Sequence, residues 1–313
     1  MKSVLHLLAE RGRTTPDGIA YRAKRLGLYR EVSWREHADN VARCAAGLRR
    51  LGLAPGERVA IMGDACEEWM LADLGAQAAG AITYGIYPTA APAEMEYQLR
   101  DAGAAYFVAE HQEYVDKLLP LLERLPGLRR IVVIDDSAMF GYDRSRICTL
   151  EEVMAGEAAP LDEFLKHIDA ASPAFIVYTS GTTGSPKGAL VAHGTHVAAA
   201  RNLIEHYPQL MRPGQRTVAY LPLCHILGRD IAVTLPMMCG LVPHFGQDVE
   251  DLPQTLYEVA PTVLFTVPRY LQKFASQVLI GMASSSPLKR AAYELAMRAG
   301  RRHARRRWQG AAD

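Results

Sequence analysis

Short apolar segments alternate with amphipathic helical stretches along most of this chain, and that alternation restricts its possible folds more than any other feature. Between Trp34 and Leu51, apolar residues recur at the three- and four-residue spacing of a helix, and Gly52 follows as a stop. Further helices are predicted over Glu67–Ala79, Pro92–Ala102, Val115–Leu122, Thr195–Tyr207 and the basic stretch Leu288–Trp308. The predicted strands are Arg58–Met62, Ile82–Ile86, Ala105–Ala109, Ile131–Asp135, Phe175–Tyr178, Ala189–Val191, Val218–Leu221, Leu241–Phe245 and Val263–Val267. This alternation predicts an α/β fold whose parallel sheet is covered by helices on both faces.

A softer stretch, rich in alanine and glutamate, interrupts the alternation over Glu151–Ala171. We therefore predict two α/β subdomains, residues 1–170 and residues 171–313. A chain of 313 residues is long enough for each to bury a sizeable core.

Charge and cysteine content narrow the function classes. The formal net charge is +1, so no global field favours nucleic acid or an acidic partner. The five cysteines are scattered without a Cys-x-x-Cys pair, which is typical of reduced thiols in a cytoplasmic protein. The N-terminal segment lacks the apolar core of a signal peptide, and the longest apolar stretch, Ile231–Pro243, is too short to span a bilayer. We expect a soluble cytoplasmic protein.

The most informative segment is Tyr178–Gly188, which reads Tyr-Thr-Ser-Gly-Thr-Thr-Gly-Ser-Pro-Lys-Gly directly after a predicted strand. Glycines permit close backbone approach, so that successive N–H groups converge on an anion. Hydroxyl and ammonium groups add ligands for phosphate, and a hydroxyl reaches bound Mg2+. The candidate phosphate-binding residues are Thr179, Ser180, Gly181, Thr182, Thr183, Gly184 and Lys187, with Thr182 as the candidate metal ligand. The loop is not a Walker A motif, because Pro186 precedes the lysine where that motif has glycine.

In this order, the string resembles the signature loop of the adenylate-forming (AMP-binding) superfamily, which includes acyl-CoA synthetases, luciferases and the adenylation domains of peptide synthetases. Tyr220–Asp230 is similar to the next family motif, and Pro261–Leu271 is similar to the following strand and loop of long-chain fatty acid–CoA ligases. Val59–Asp64 and Gly85–Tyr97 resemble the early blocks of the same group. The resemblance therefore covers nearly the whole chain in the order of the family.

The resemblance implies a fold and a reaction. The fold would be the stacked parallel-sheet subdomains of the large N-terminal domain, truncated, with the C-terminal domain absent. Such enzymes bind ATP and Mg2+, convert a fatty acid to its acyl-adenylate with release of pyrophosphate, and pass the acyl group to coenzyme A. Lys187 and His225 are the candidate catalytic residues, with His225 matching the family histidine beside the carboxylate.

The residues after His225 leave the substrate class open. Relatives that act on short or aromatic acids often carry an aromatic residue and then glycine there, whereas long-chain ligases carry an acidic residue and then arginine. This chain reads Ile226-Leu-Gly-Arg229 and combines both styles. The segment Val267–Tyr270 favours a long-chain acyl substrate, and Arg229 is either part of the site or an exposed surface charge.

A rival interpretation uses the same residues. His225 and Asp230 are spaced as in the HxxxxD motif of glycerolipid acyltransferases, in which the aspartate orients a histidine base. That interpretation leaves Tyr178–Gly188 without a role.

Several later family motifs do not occur in this sequence: the YGxTE-type segment, the ribose-binding aspartate and the lysine of the mobile C-terminal domain. The chain alone is therefore either a working ligase completed by a second polypeptide, or a non-catalytic remnant that binds nucleotide weakly. The helix at Leu288–Trp308 would pack Leu288, Ala292, Leu295 and Ala296 inward, or meet anionic lipid at a membrane surface.

Overall fold

A computed structural model describes residues 2–179, 185–249 and 251–309. The strands are β1 (Ile19–Arg25), β2 (Leu28–Ser33), β3 (Arg58–Met62), β4 (Ile82–Ile86), β5 (Ala104–Ala109), β6 (Arg130–Val133), β7 (Ile147–Thr149), β8 (Pro173–Thr179), β9 (Lys187–Ala192), β10 (Gln215–Ala219) and β11 (Leu241–Phe245). The α-helices are α1 (Val4–Thr14), α2 (Trp34–Arg50), α3 (Glu67–Ala78), α4 (Pro92–Ala102), α5 (Gln112–Leu118), α6 (Leu150–Met154), α7 (Leu161–Leu165), α8 (His193–His206), α9 (Ile226–Arg229), α10 (Leu235–Met238), α11 (Leu252–Val259), α12 (Pro268–Ala283) and α13 (Pro287–Trp308). Short 3-10 helices cover Leu119–Arg124 and Pro208–Met211, and a π-helix covers Asp230–Thr234.

The chain divides into two compact units, Met1–Leu264 (unit 1) and Phe265–Asp313 (unit 2). Unit 1 contains both sheets and the helices α1 to α11. Unit 2 contains α12 and α13, which are in contact with each other and are joined by three serines.

The larger sheet of unit 1 has seven strands in the order β7-β6-β5-β3-β4-β8-β9. All its neighbours run parallel except β8 and β9, which form an antiparallel hairpin. Along β3, Val59 and Ile61 belong to one core cluster, whereas Ala60 and Met62 belong to the other. Both faces of this sheet are therefore buried, which confirms the predicted parallel α/β architecture.

The smaller sheet has the order β10-β11-β1-β2, and only its β1–β2 pair is antiparallel. Charged residues interrupt the apolar pattern of β1 and β2, so the sequence pattern does not predict this hairpin. Its two-residue turn places both Leu26 and Gly27 at positive φ, 48° and 82°, which is the backbone of a tight hairpin turn.

The α2 and α3 helices belong to the same core cluster as side chains of both sheets, among them Tyr21 of β1 and Phe245 of β11. The two sheets are therefore stacked about shared helices, as predicted. Each sheet also takes strands from both sides of residue 170, so the division into 1–170 and 171–313 does not coincide with a break between sheets and stays a prediction.

Two local predictions were wrong. Residues 263–267 form no strand, because the amides of Thr262 and Val263 both donate to the carbonyl of Arg216 instead of forming a ladder along a partner strand. The helix at the C-terminal end exists as α13, but Leu288 and Leu295 are 81% and 71% exposed rather than packed inward. A pair of helices covers only a narrow stripe of each partner, so these side chains remain outside it.

Candidate functional site

The candidate phosphate loop connects β8 to β9, and its two ends form a pair in the antiparallel ladder. Thr179, the last residue of β8, pairs with Lys187, the first residue of β9, and both are exposed. The hydroxyl of Thr179 and the ammonium of Lys187 are thus held on neighbouring strands by backbone hydrogen bonds. The predicted ligands Ser180, Gly181, Thr182, Thr183 and Gly184 lie outside the described residues.

His225 is the N-cap of α9 and is exposed. Its Nδ1 accepts a hydrogen bond from the backbone N–H of Leu227 at 3.1 Å, which orients the ring and leaves Nε2 available to a ligand. A histidine held in this way can donate a hydrogen bond from Nε2 to a carboxylate.

Two close approaches fix the loop that carries His225. A Cβ added to Gly85 of β4 would lie 2.3 Å from Cβ of the neighbouring Cys224. A Cβ added to Gly228 would lie 2.3 Å from the carbonyl oxygen of Pro222. Both positions therefore need glycine, and the second explains why the residue before Arg229 is small.

These contacts bring the candidate residues to one edge of the larger sheet. The strands β4 and β8 are parallel neighbours, with Thr83 opposite Phe175. Cys224 meets Gly85 near the carboxyl end of β4, and Thr179 ends β8, so His225, Thr179 and Lys187 share the carboxyl edge. Ligands of open α/β sheets bind at that edge.

Arg229 does not lie on the surface: it is 3% exposed, so the interpretation as an exposed charge was wrong. Its Nη1 lies 2.5 Å from Oδ2 of Asp73, which is completely buried in α3. Its guanidinium also lies over the rings of Phe175 and Trp69, at 4.1 Å and 5.3 Å from Cζ to the ring centroids. Sequence reasoning missed Asp73, although a single aspartate within the apolar stretch Trp69–Ala79 is a signal of a buried charge.

The contacts of the described residues do not join His225 to Asp230. Oδ1 of Asp230 lies 3.6 Å from Nε2 of His196, whose ring hydrogen-bonds the hydroxyl of Thr234. Burial raises the pKa of Asp230 to about 7 and lowers that of His196 to about 3. His225 and Asp230 therefore do not form the dyad that an HxxxxD acyltransferase would need.

A small crevice opens beside the carboxyl ends of β3, β10 and β11, with about 380 Å3 of empty space. Its lining includes Asp64 and Asp248, and the half-buried Glu110 accepts a hydrogen bond from the backbone N–H of Asp64 at 2.7 Å. Burial raises the pKa of Glu110. The β8–β9 hairpin brings a hydroxyl and an ammonium group together, so it is the better candidate for anion binding.

Neither a clustered metal site nor a membrane-spanning helix occurs in the described part of the chain. The described part of the chain has no group of three or more His, Cys, Asp or Glu side chains placed to hold a metal ion. Every helix within the described ranges falls short of the length and apolar character that crossing a bilayer requires.

The fold and this edge together define an α/β protein with a candidate anion-binding hairpin beside an oriented histidine. A family model described as AMP-binding enzyme matches residues 8–305, so the chain belongs to the AMP-binding enzyme family.

Several relatives of this chain are long-chain-fatty-acid–CoA ligases. The chain is 31% identical over 272 residues to the long-chain-fatty-acid–CoA ligase FadD15 of Mycobacterium bovis, covering 87% of this chain and 44% of that protein. It is 31% identical over 283 residues to the long-chain-fatty-acid–CoA ligase ACSBG2 of Xenopus laevis, covering 88% and 38%. The chain thus spans about two-fifths of the length of these relatives.

Solved structures share the fold. MbtA of Mycobacterium smegmatis matches with a TM-score of 0.71 at 26% identity, over 86% of this chain and 48% of that chain. The didomain of carboxylic acid reductase from Segniliparus rugosus, in complex with AMP, matches with a TM-score of 0.71 at 22% identity, over 93% and 46%. These matches confirm the predicted fold class.

Proposed function

We propose that this chain provides the phosphate-binding and carboxylate-positioning part of a long-chain fatty acid–CoA ligase. The observation that carries the proposal is the pairing of Thr179 with Lys187 at the carboxyl edge that also presents His225. The long-chain-fatty-acid–CoA ligase relatives support the choice of substrate.

The reaction would begin with attack of a fatty acid carboxylate oxygen on the α-phosphorus of ATP. Acyl-adenylate forms, pyrophosphate leaves, and the thiol of coenzyme A then displaces AMP to give acyl-CoA. Lys187 would hold the β- and γ-phosphates with the loop from Thr179, and His225 would orient the carboxylate. Mg2+ near Thr182 would neutralise phosphate charge when bound.

A second candidate is nucleotide binding without turnover. The pairing of Thr179 with Lys187 supports it too, because a phosphate site can bind nucleotide whether or not acyl transfer follows. A second polypeptide that supplies the remaining motifs would convert this candidate into the first.

The test is ATP–pyrophosphate exchange by the purified chain with Mg2+ and a sixteen-carbon fatty acid, comparing wild type with Lys187→Ala. We expect exchange that requires the long-chain acid and falls about a hundredfold in the variant, because a charged phosphate ligand is lost. Lys166→Ala removes another exposed lysine and is the matched control.

Nucleotide binding separates the two candidates. ATP binding that depends on Lys187, without exchange, would favour the non-catalytic candidate. A folded chain that neither exchanges nor binds ATP would refute both.

We also propose that unit 2 contacts anionic lipid from the cytoplasmic side. The sequence of unit 2 has ten Lys or Arg and two acidic residues, a net charge of +8, against +1 for the whole chain. Exposed Leu288 and Leu295 add apolar area beside these charges.

The test is sedimentation with phosphatidylglycerol-containing vesicles at low and high salt. We expect the triple variant Arg301→Glu, Arg302→Glu, Arg305→Glu to lose salt-sensitive binding. Equal charge reversal at the exposed positions Lys166, Arg201 and Arg212 of unit 1 is the control. Equal loss in both variants would indicate a response to net charge and would contradict a role for α13.

A further inference from the structure

We propose that Arg229 is a positioning residue that fixes His225 relative to the strand carrying Thr179. This inference rests on the proposed function. Among the described contacts, Arg229 touches neither Thr179 nor Lys187, so its effect would be transmitted through the backbone of α9 and through β8.

Arg229 is connected to His225 through the backbone. The backbone N–H of Arg229 donates to the carbonyl of His225 at 3.1 Å, one helical turn earlier. The helical backbone continues from α9 through the π-helix into α10, and Arg229 lies in its first turn, so anchoring the Arg229 side chain restrains that first turn and its N-cap, His225. The approaches of Cys224 to Gly85 and of Gly228 to Pro222 restrain the same loop from the other end.

The side chain of Arg229 is anchored by the buried carboxylate of Asp73. Asp73 accepts from Arg229 at 2.5 Å, from the hydroxyl of Thr83 at 2.5 Å and from the side-chain amide of Gln77 at 2.9 Å. The carboxylate is thus held on both oxygens, and the anchor does not swing with the arginine. A buried pair satisfied in this way is rigid.

Arg229 is connected to the phosphate loop through β8. The guanidinium of Arg229 lies over the ring of Phe175, which is in β8 four residues before Thr179. Phe175 is also opposite Thr83, the residue that donates to Asp73. One cation therefore contacts α3 and β8 directly and holds α9 through its own backbone. A planar guanidinium makes these ring contacts, whereas a lysine ammonium would keep only the charge.

A purely structural ion pair and a positioning residue make different predictions, and a double variant separates them. In Arg229→Met alone, the carboxylate of Asp73 is left buried without its cation, so the melting temperature should fall by about 10 °C or more. In Arg229→Met combined with Asp73→Asn, no charge is buried unpaired, and the new amide can accept from Gln77 through its oxygen and donate to the hydroxyl of Thr83 through its NH2. We expect its melting temperature to return to within about 4 °C of wild type.

We expect the exchange rate of this double variant to stay about tenfold or more below wild type, with the KM for ATP within about twofold. Such a split indicates misplaced His225 with an intact phosphate loop. The single variant Arg229→Lys, which keeps Asp73 and a cation, should exchange faster than the double variant but more slowly than wild type. A stable double variant that exchanges at the wild-type rate would overturn the proposal.

A second measurement does not depend on turnover. The ring nitrogen NMR shifts of His225, assigned with His225→Asn, report whether Nδ1 still accepts from Leu227. We expect one signal in wild type and a shifted or broadened signal in the folded double variant. If wild type does not exchange but the His225 signal changes as expected, the proposed function fails while the positioning role stands. An unchanged His225 signal in the folded double variant would overturn the positioning role whatever the activity.

Discussion

Units 1 and 2 treat charged and apolar side chains in opposite ways. In unit 1, the completely buried Asp73 is compensated by Arg229 and two neutral hydrogen-bond donors. In unit 2, none of the residues of α12 and α13 that the structure describes is buried, and leucine, isoleucine and arginine side chains are exposed together. Charged and apolar side chains therefore contribute to the stability of the core in unit 1, whereas in unit 2 they set the charge and the apolar area of the surface.

The difference follows from the number of layers around each element. A buried position of unit 1, such as that of Asp73 in α3, is enclosed by several neighbouring elements, so a charge there needs a partner from another element. Within unit 2 each helix packs on the other, and none of their described residues is buried, so their charges remain hydrated. Burial decides what an ion pair contributes, because exposed pairs are screened by water and buried pairs are not.

The largest contrast is expected from removing one carboxylate in each unit. Asp73→Ala leaves the guanidinium of Arg229 buried and unpaired, and we expect the free energy of unfolding to fall by about 3–5 kcal/mol. Glu294→Ala removes the partner of Arg298, an exposed pair 3.6 Å apart, and should change it by less than about 0.5 kcal/mol. Urea denaturation of the two variants measures both. Similar losses at the two sites would show that burial does not separate the units.

The same Gly→Ala substitution should have opposite signs in the two units. A Cβ on Gly47 of α2 would lie 1.8 Å from the carbonyl oxygen of Val153, so we expect a loss of about 2–3 kcal/mol in stability. A Cβ on Gly300 of α13 meets nothing within 4 Å, and alanine should raise helix stability by about 0.5–1 kcal/mol. Thermal and urea unfolding of each variant measure the sign. Stabilisation by Gly47→Ala would contradict the packing of α2 against α6, which contains Val153.

The smallest contrast concerns pH. His37 is buried in unit 1, and burial lowers its pKa to about 3. Below pH 6.5 the unfolded chain binds a proton at this residue and the folded chain does not, so stability falls as pH falls from 6.5 towards 3. Between pH 7 and pH 5 this one histidine contributes up to about 2 kcal/mol of the loss.

The variant His37→Phe should flatten that dependence, because it keeps a ring beside Tyr21 and removes the titrating group. His303→Phe is the matched change at an exposed histidine of unit 2. Urea midpoints at pH 7 and pH 5 measure the slopes. An unaltered slope in His37→Phe would mean that this site does not govern the loss.

Local patterns in the sequence predicted most of the core elements. Arg58–Met62, Ile82–Ile86 and Leu241–Phe245 form strands with the predicted bounds, and Pro92–Ala102 is the predicted helix. Each has a buried run or a helical spacing that is complete within its own residues. The strand predicted at Val263–Val267 has an equally apolar run but no ladder, because a run of apolar residues does not supply a partner strand.

The candidate site divides in the same way. The segment from Thr179 to Lys187 and the motif around His225 can be identified from the sequence, because their residue types and order resemble those of the AMP-binding family. The requirement for glycine at positions 85 and 228 cannot be predicted from the sequence, since each depends on the close approach of another part of the chain.

The α/β class, the family and the residues proposed to meet phosphate and carboxylate can be predicted from local patterns, because periodicity and motif order are local properties. The inward direction of Arg229, towards Asp73 located 156 residues earlier in the chain, is visible only in the folded molecule. Parallel strands and their crossover helices bring such distant residues together, and the low polarity of the interior then makes their pairing necessary.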